Sequence, residues 1–205
     1  MLDDKASVSD KASRHAQRKA ATHQRLLDAA RDVIVEKGYS NVEILDITER
    51  ADVSKATFYQ HFSNKEECAR KLMHQGFDSL AEKILGETPP RLPDPDWVID
   101  SMEQIFGWAD TNREIMLIMV GGAASTQLNV FGRNYMVEIT ERTIINALNE
   151  SHAESPKYSP HIQAQVVTGV LIQLLGWWLE NETGLSTRQM GEMIHDILQN
   201  GLGTL

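Results

Sequence analysis

Five residues within a seven-residue run, Lys55, Thr57, Tyr59, Gln60 and His61, can each give a hydrogen bond or a charge to an acidic polymer. Phe58 and Phe62 are interleaved with them at a four-residue spacing, which puts both rings on one face of a helix and anchors it to a core. A short helix with two buried aromatics and a donor-rich outer face suits the recognition helix of a helix-turn-helix. Other chemistry finds little support. The chain has no Ser/His/Asp ordering, phosphate loop, HExxH or Cys/His cluster, and this argues against a helical enzyme. The seven histidines are scattered. The pair His152 and His161 flanks a loop without helical ligand spacing, so neither a metal site nor a cofactor is expected.

The elements that must position this run are legible around it. Ile44, Ile47 and Ala51 form an apolar stripe for a first short helix, with Ser40 or Asn41 as its cap and Ser40–Glu43 as a capping box. Asp52-Val53 interrupts, and Ser54 caps a second short helix over 55–61. Upstream, Leu26, Leu27, Ala30, Val33 and Ile34 mark a helix over 20–37, stopped by Gly38, with Tyr39 packing back. Downstream, Ser63 and Glu66 form a second capping box for a helix reaching about residue 85. Lys65 in its first turn sits where backbone N–H groups favour an anion. Residues 1–19 are polar and partly basic, and are expected to form a disordered arm, either solvated or following a DNA groove.

The remaining chain reads as helices. A proline-rich linker (86–95) precedes a helix capped by Asp94-Pro95 and running to about residue 110. Thr111 and Glu114 open a short apolar helix (115–120) weakened by Gly121-Gly122, and a long helix over 127–149 follows. After a loop at 151–159, Ser159-Pro160 starts a helix to about residue 182 that is apolar on nearly every side, and is therefore expected to be buried on both. Gly169 and Gly176 would allow close approach, within one subunit or between two. Ser186–Gln189 caps a last helix with a stripe of Met190, Met193, Ile194, Ile197 and Leu198. With no β alternation, the fold class is all-α, about nine helices: an N-terminal three-helix helix-turn-helix domain with a linking fourth helix (20–85) and a helical C-terminal domain (96–205).

The formal charge of −9 does not argue against a DNA partner once it is divided. Residues 1–75 hold 13 Lys/Arg and 12 Asp/Glu, whereas residues 76–205 hold 7 and 17. Phosphate contacts depend on local cations, so a near-neutral domain with a basic arm can bind DNA. The single cysteine, Cys68, excludes an intrachain disulfide and suits a reducing cytoplasm. No window is expected to span a bilayer, and the N-terminus lacks the apolar core of a secretory signal.

The stretch from residue 25 to about residue 73 resembles the DNA-binding domain of the tetracycline-repressor (TetR) family of bacterial transcription regulators. The matching pieces are RLLDAARDVIVEKGY, Ile47-Thr48, Ala51-Asp52-Val53-Ser54, Tyr59-Gln60-His61-Phe62 and Lys65-Glu66. Asp52 stands where the family has a turn glycine, and Ala56 where glycine is frequent; Asp tolerates the left-handed conformation, so the turn is expected to survive. The resemblance implies a cytoplasmic homodimeric repressor released from a near-palindromic operator by a small organic effector. An activator or an effector-independent nucleoid protein remains the alternative. It implies that Ser54, Lys55, Ala56, Thr57 and Gln60 lie at the recognition surface, with Lys55, Ala56 and Thr57 meeting base edges. Tyr59, His61, Lys65 and the backbone at Asn41 and Val42 would touch phosphate. Tyr59 also suits core packing, and His61 a local hydrogen bond. Trp108, Met116, Met119, Phe131, Tyr135, Gln173 and Trp177 are candidates for an effector pocket, and equally suit plain core. Val170, Leu174, Trp178, Met190, Ile194 and Ile197 are candidates for a dimer interface formed by the last two helices.

Overall fold

Alanine-rich sequence free of Gly and Pro favours helix from the start of the chain to Lys37. In the computed structural model, which describes residues 3–87, 94–120, 126–151 and 156–200, α1 occupies Asp3–Lys37. Residues 3–19 are thus helical, which corrects the expectation of a disordered arm: low apolar content had outweighed helix propensity there. Among the described residues there are nine α-helices and no strand. The chain divides into two compact units, Met1–Leu72 and Met73–Leu205. The division falls inside the fourth helix. Residues 88–93 of the expected linker, Gly121-Gly122 and His152 lie outside the described residues.

In the first unit, Gly38 (φ 72°) ends α1, its N–H donating to the Ile34 carbonyl at 2.9 Å. A single 3-10 turn, Tyr39–Asn41, leads into α2 (Ile44–Arg50). The cap of α2 is Glu43, not Ser40 or Asn41. Its side chain accepts from the N–H of Asp46, and the Asp46 carboxylate accepts from the Glu43 N–H at 2.8 Å, a reciprocal box two acids long. Helix α3 (Lys55–Tyr59) and helix α4 (Lys65–Glu87) follow. The start of α4 is also displaced by one residue from the expected box: Asn64 accepts from the Glu67 N–H at 2.8 Å, and Glu67 reaches back to the Ser63 N–H at 2.7 Å. Leu26, Ile34, Ile47, Phe58 and Phe62 form the fully buried centre. Burying one such side chain contributes about 1.5–3 kcal/mol.

In the second unit, α5 (Pro95–Thr111) starts at Asp94, whose carboxylate accepts from the Asp96 N–H at 3.1 Å. Helices α6 (Arg113–Val120), α7 (Thr126–Ser151), α8 (Pro160–Glu180) and α9 (Thr187–Asn200) complete it. The expected caps of the last two are present. Ser159 accepts from the Ile162 N–H at 3.4 Å, and Ser186 and Gln189 form a reciprocal box at 3.2 and 2.9 Å. Helix α8 packs on α7 and α6 through Ala164, Thr168, Leu171, Leu175 and Leu179. By length and composition it is apolar enough to cross a membrane, contrary to the expectation that no segment would be. Its buried stripe uses that apolarity in packing. Nor is it buried on both sides: Ile162, Val166 and Trp177 are exposed along its outer face. Helix α9 lies on α5 so closely that a Cβ on Gly191 would stand 2.8 Å from the Ile99 carbonyl oxygen.

Candidate functional site

The turn before α3 is built locally. Asp52 takes the left-handed conformation (φ 50°) that a glycine would adopt freely, and the Val53 N–H returns to the Thr48 carbonyl at 3.0 Å. Ser54 then caps α3: its Oγ accepts from the Thr57 N–H at 3.1 Å and lies 2.9 Å from the Thr57 hydroxyl. Phe58 and Phe62, 5.4 Å apart between ring centroids, hold the helix to α1 and α2. This fixes the opposite face outward. Ser54, Lys55, Ala56, Tyr59 and Gln60 are exposed, and Thr57 is half-buried. Lys55 makes no ion pair or hydrogen bond among the described residues. A cation, a methyl-bearing small residue, hydroxyls and an amide thus share one convex face.

Helix α3 ends at Tyr59, so His61 lies beyond it, half-buried and 5.6 Å from the His23 ring. Burial, then neighbouring His23 and Lys19, holds His61 below the usual histidine value; burial, then Lys71 and Lys19, does the same for His23. The phosphate-contact candidates behind it fare differently. Val42 is buried, and the Asn41 amide donates to the Lys37 carbonyl at 2.8 Å, closing the end of α1. Lys65 is not at an open helix terminus. Its ammonium donates to the carbonyls of Val42 (2.7 Å) and Tyr39 (3.0 Å) and sits 4.5 Å above the Tyr39 ring. Burial pulls its pKa down, against the pull of Glu43 and Asp46. The side chain clamps the turn between α1 and α2, whereas Lys55 and Tyr59 point outward. Cys68 is buried and pushed up to about 12, hence an unreactive core thiol.

The second unit contains a cavity of about 570 Å³ between α4, α5, α7, α8 and α9. A small side chamber of about 70 Å³ shares Ile84, Ile105 and Leu171 with it. Of the expected pocket residues, Trp108 and Met116 line this side chamber. Tyr135 and Phe131 stack at 6.0 Å, and Tyr135 donates to Asp78, which also holds His74 at 2.8 Å; the Tyr135 phenol is raised to about 12 by burial and by that carboxylate. That cluster ties α4 to α7 rather than facing the cavity. Gln173 and Trp177 point outward from α8, which corrects their placement in a pocket. The side chain of Met119 lies outside the described residues. The main walls, among them Ser101, Ile139, Thr143 and His195, were missed, because nothing in a helical stripe separates a core wall from a cavity wall.

The dimer candidates also divide. Met190 and Ile194 are fully buried where α9 packs on α5, so they are core of this unit and not available to a second copy. Trp178 is engaged internally as well: its indole N–H donates to the Leu185 carbonyl at 3.0 Å and its ring meets Phe106 edge-on at 5.3 Å. Val170, Leu174 and Ile197 are half-buried.

Two family profiles cover these units. "Bacterial regulatory proteins, tetR family" matches residues 26–72, and "Transcriptional regulator C-terminal region" matches residues 97–200. The chain belongs to the TetR family of bacterial transcription regulators. The regulator YdeS of Bacillus subtilis is 38% identical over 79 residues, 38% of this chain and 34% of that protein. IcaR of Staphylococcus epidermidis, the negative regulator of a biofilm operon, is 29% identical over 118 residues, 56% of this chain and 61% of its own. The chain spans about a third of the length of the first curated relatives it matches (34%, 39% and 29%). FadR from Bacillus subtilis, solved with stearoyl-CoA, shares the fold with a TM-score of 0.70 at 15% identity, covering 87% of this chain and 98% of that one. Helices α2 and α3, inside the first matched stretch, form the helix-turn-helix of this chain.

Proposed function

We propose that the chain acts in the cytoplasm as a homodimeric repressor, reading a near-palindromic operator through α3 and leaving it when a small organic molecule enters the second unit. The observation that carries the DNA-reading part is the α3 face: Phe58 and Phe62 inward, and Lys55, Ala56, Tyr59 and Gln60 outward behind a Ser54 cap. On this reading Lys55 and Ala56, at the start of the helix, meet base edges, and Tyr59 meets phosphate. A dimer would set two such helices about 34–36 Å apart, in successive major grooves.

Support for dimerisation is the outer face of α8 around Trp177, which is exposed and lines no part of the cavity, on the side on which Gly169 meets no neighbour within 4 Å. That face, rather than the α9 stripe, is assigned to the second copy. Support for an effector is the cavity, whose volume lies in the range of about 300–1,000 Å³ usual for small-molecule sites. Release follows if the occupied cavity favours a spacing of the two α3 helices that no longer fits the operator. Negative regulation by IcaR and the stearoyl-CoA held by FadR are consistent with this. A gel shift on the intergenic DNA upstream of the gene tests the proposal. A retarded band competed by the specific duplex but not by shuffled DNA supports it; equal competition by both rejects it.

A further inference from the structure

Two imidazoles meet just past the end of α3. The His23 ring of α1 packs on Phe62 with centroids 4.7 Å apart, and the His61 ring lies 5.6 Å from it. Both are half-buried, yet no ring nitrogen of either is sealed from solvent, and neither ring forms a hydrogen bond among the described residues. The other charged groups acting on them come from two helices. Lys19, one turn before His23 on α1, acts on both rings, and Lys71 of α4 acts on His23. Both lysines are exposed and make no ion pair among the described residues. No carboxylate is among the groups acting on either ring. Glu67, one turn before Lys71, is already engaged, accepting from the Ser63 N–H at 2.7 Å and the Ser63 hydroxyl at 2.6 Å. Burial, together with the positive neighbours, holds both rings below the usual histidine value, so they are mostly neutral at pH 7.5.

We propose that Lys19, His23, His61 and Lys71 form one site for a DNA backbone phosphate at the end of α3, and that DNA binding through it takes up protons. The proposal rests on reading the first unit as the DNA-binding unit. To His61, which the family resemblance implies at phosphate, it adds three groups from α1 and α4 and a dependence on pH. The five residues of α3 span about 7.5 Å, and a major groove is about 12 Å wide, so a helix whose start meets base edges ends at the phosphate wall. His61 stands two residues beyond that end. There the lysines supply charge and the rings supply N–H donors. A bound phosphate removes the mutual repulsion of the four groups and favours the imidazolium form. At a pH where the free rings are mostly neutral, the complex therefore holds more protons than its separate parts. Affinity rises as pH falls towards the titration of the free rings and levels off below it, where both states are protonated.

The test measures fluorescence anisotropy of a labelled operator duplex and of its shuffled counterpart with the full chain, from pH 8.0 to 6.0 at fixed ionic strength. Circular dichroism confirms the fold of every protein at each pH. Phosphate contacts carry no sequence information, so both duplexes should gain about five- to tenfold in affinity as the pH falls. His23→Gln/His61→Gln should flatten the profile on both. His15, exposed on α1, is kept in that variant and cannot account for the difference. Lys19→Gln/Lys71→Gln should lower the slope of log K against log salt by about 0.9, the share of one phosphate. A flat profile for the natural chain, a histidine variant that keeps the natural profile, or a lysine variant with an unaltered salt slope would each overturn the proposal. Operator preference with a flat profile rejects this site and leaves sequence reading by α3 standing. Equal affinity for both duplexes with a steep profile keeps the site and rejects the repressor, and binding to neither duplex overturns both.

Discussion

Replacing Lys65 by methionine separates two roles that the family resemblance and the geometry assign to one side chain. Methionine keeps the apolar stem against Tyr39 and removes the ammonium, leaving the Val42 carbonyl without that donor and the Tyr39 carbonyl with only the Val42 N–H at 3.3 Å. Hydrogen bonds to a charged group contribute about 1.5–3 kcal/mol each, and a cation above a ring as buried as that of Tyr39 about 1–2 kcal/mol. Against this stands the cost of taking the ammonium partly out of water, which the lowered pKa of Lys65 registers. A net loss of about 2–3 kcal/mol is expected, or about 4–12 °C in Tm for a chain of this size. Thermal unfolding followed by circular dichroism reads it directly. DNA affinity measured across a salt series reads the other role, since a lost phosphate contact lowers the slope of log K against log salt by about 0.9. The clamp role predicts a lower Tm and an unchanged slope. An unchanged Tm with a slope reduced by about one would refute it.

Three further expectations follow from single positions. Gly191→Ala would drive a Cβ to 2.8 Å from the Ile99 carbonyl oxygen; separating α9 from α5 should cost about 1–3 kcal/mol, visible as a Tm drop, and an unaltered Tm would mean the two helices are less closely packed than described. Asp52→Gly should stabilise the first unit, because Asp bears a left-handed penalty of about 1 kcal/mol that glycine avoids, offset in part by glycine's greater unfolded freedom; a gain of up to about 0.5 kcal/mol in urea unfolding is expected, and a clear loss would show that the Asp52 side chain stabilises the turn. His23 and His61 are both held below 6.5, so the unfolded chain binds more protons between the folded values and 6.5, and stability there rises with pH. Their contribution is complete above about 6.5 and is lost as pH falls through the folded values; Tm measured from pH 7.5 down to 5 should fall more steeply for the natural chain than for the His23→Gln/His61→Gln variant, and parallel curves would count against the assignment.

Features governed by neighbours in the chain were readable from sequence alone. The Gly38 stop, the left-handed Asp52, and the caps at Ser54, Asp94, Ser159 and Ser186 each depend on a few adjacent residues. Where several polar residues compete for one terminus, the choice slipped: Glu43 displaced Ser40, and Asn64 with Glu67 displaced Ser63 with Glu66. Features decided by distant residues were not readable. Nothing near Lys65 in sequence announces that the carbonyls of Tyr39 and Val42 will surround its ammonium. The α9 stripe of Met190 and Ile194 carries a period and no address, and its partner turned out to be α5. Helix α8, apolar around most of its circumference, offers no pattern to say that Leu171 faces a cavity while Trp177 faces outward.

The central claim, that α3 reads sequence in duplex DNA, is tested most directly by comparing three proteins on one selected operator and its shuffled counterpart at two salt concentrations. The natural chain should prefer the operator by at least about a thousandfold. Tyr59→Ala should weaken both duplexes alike, while Lys55→Ala should lose about 1–3 kcal/mol on the operator alone and so narrow the ratio. If Lys55→Ala lowers affinity for both duplexes by the same factor, α3 does not read the bases through Lys55, and the account is contradicted.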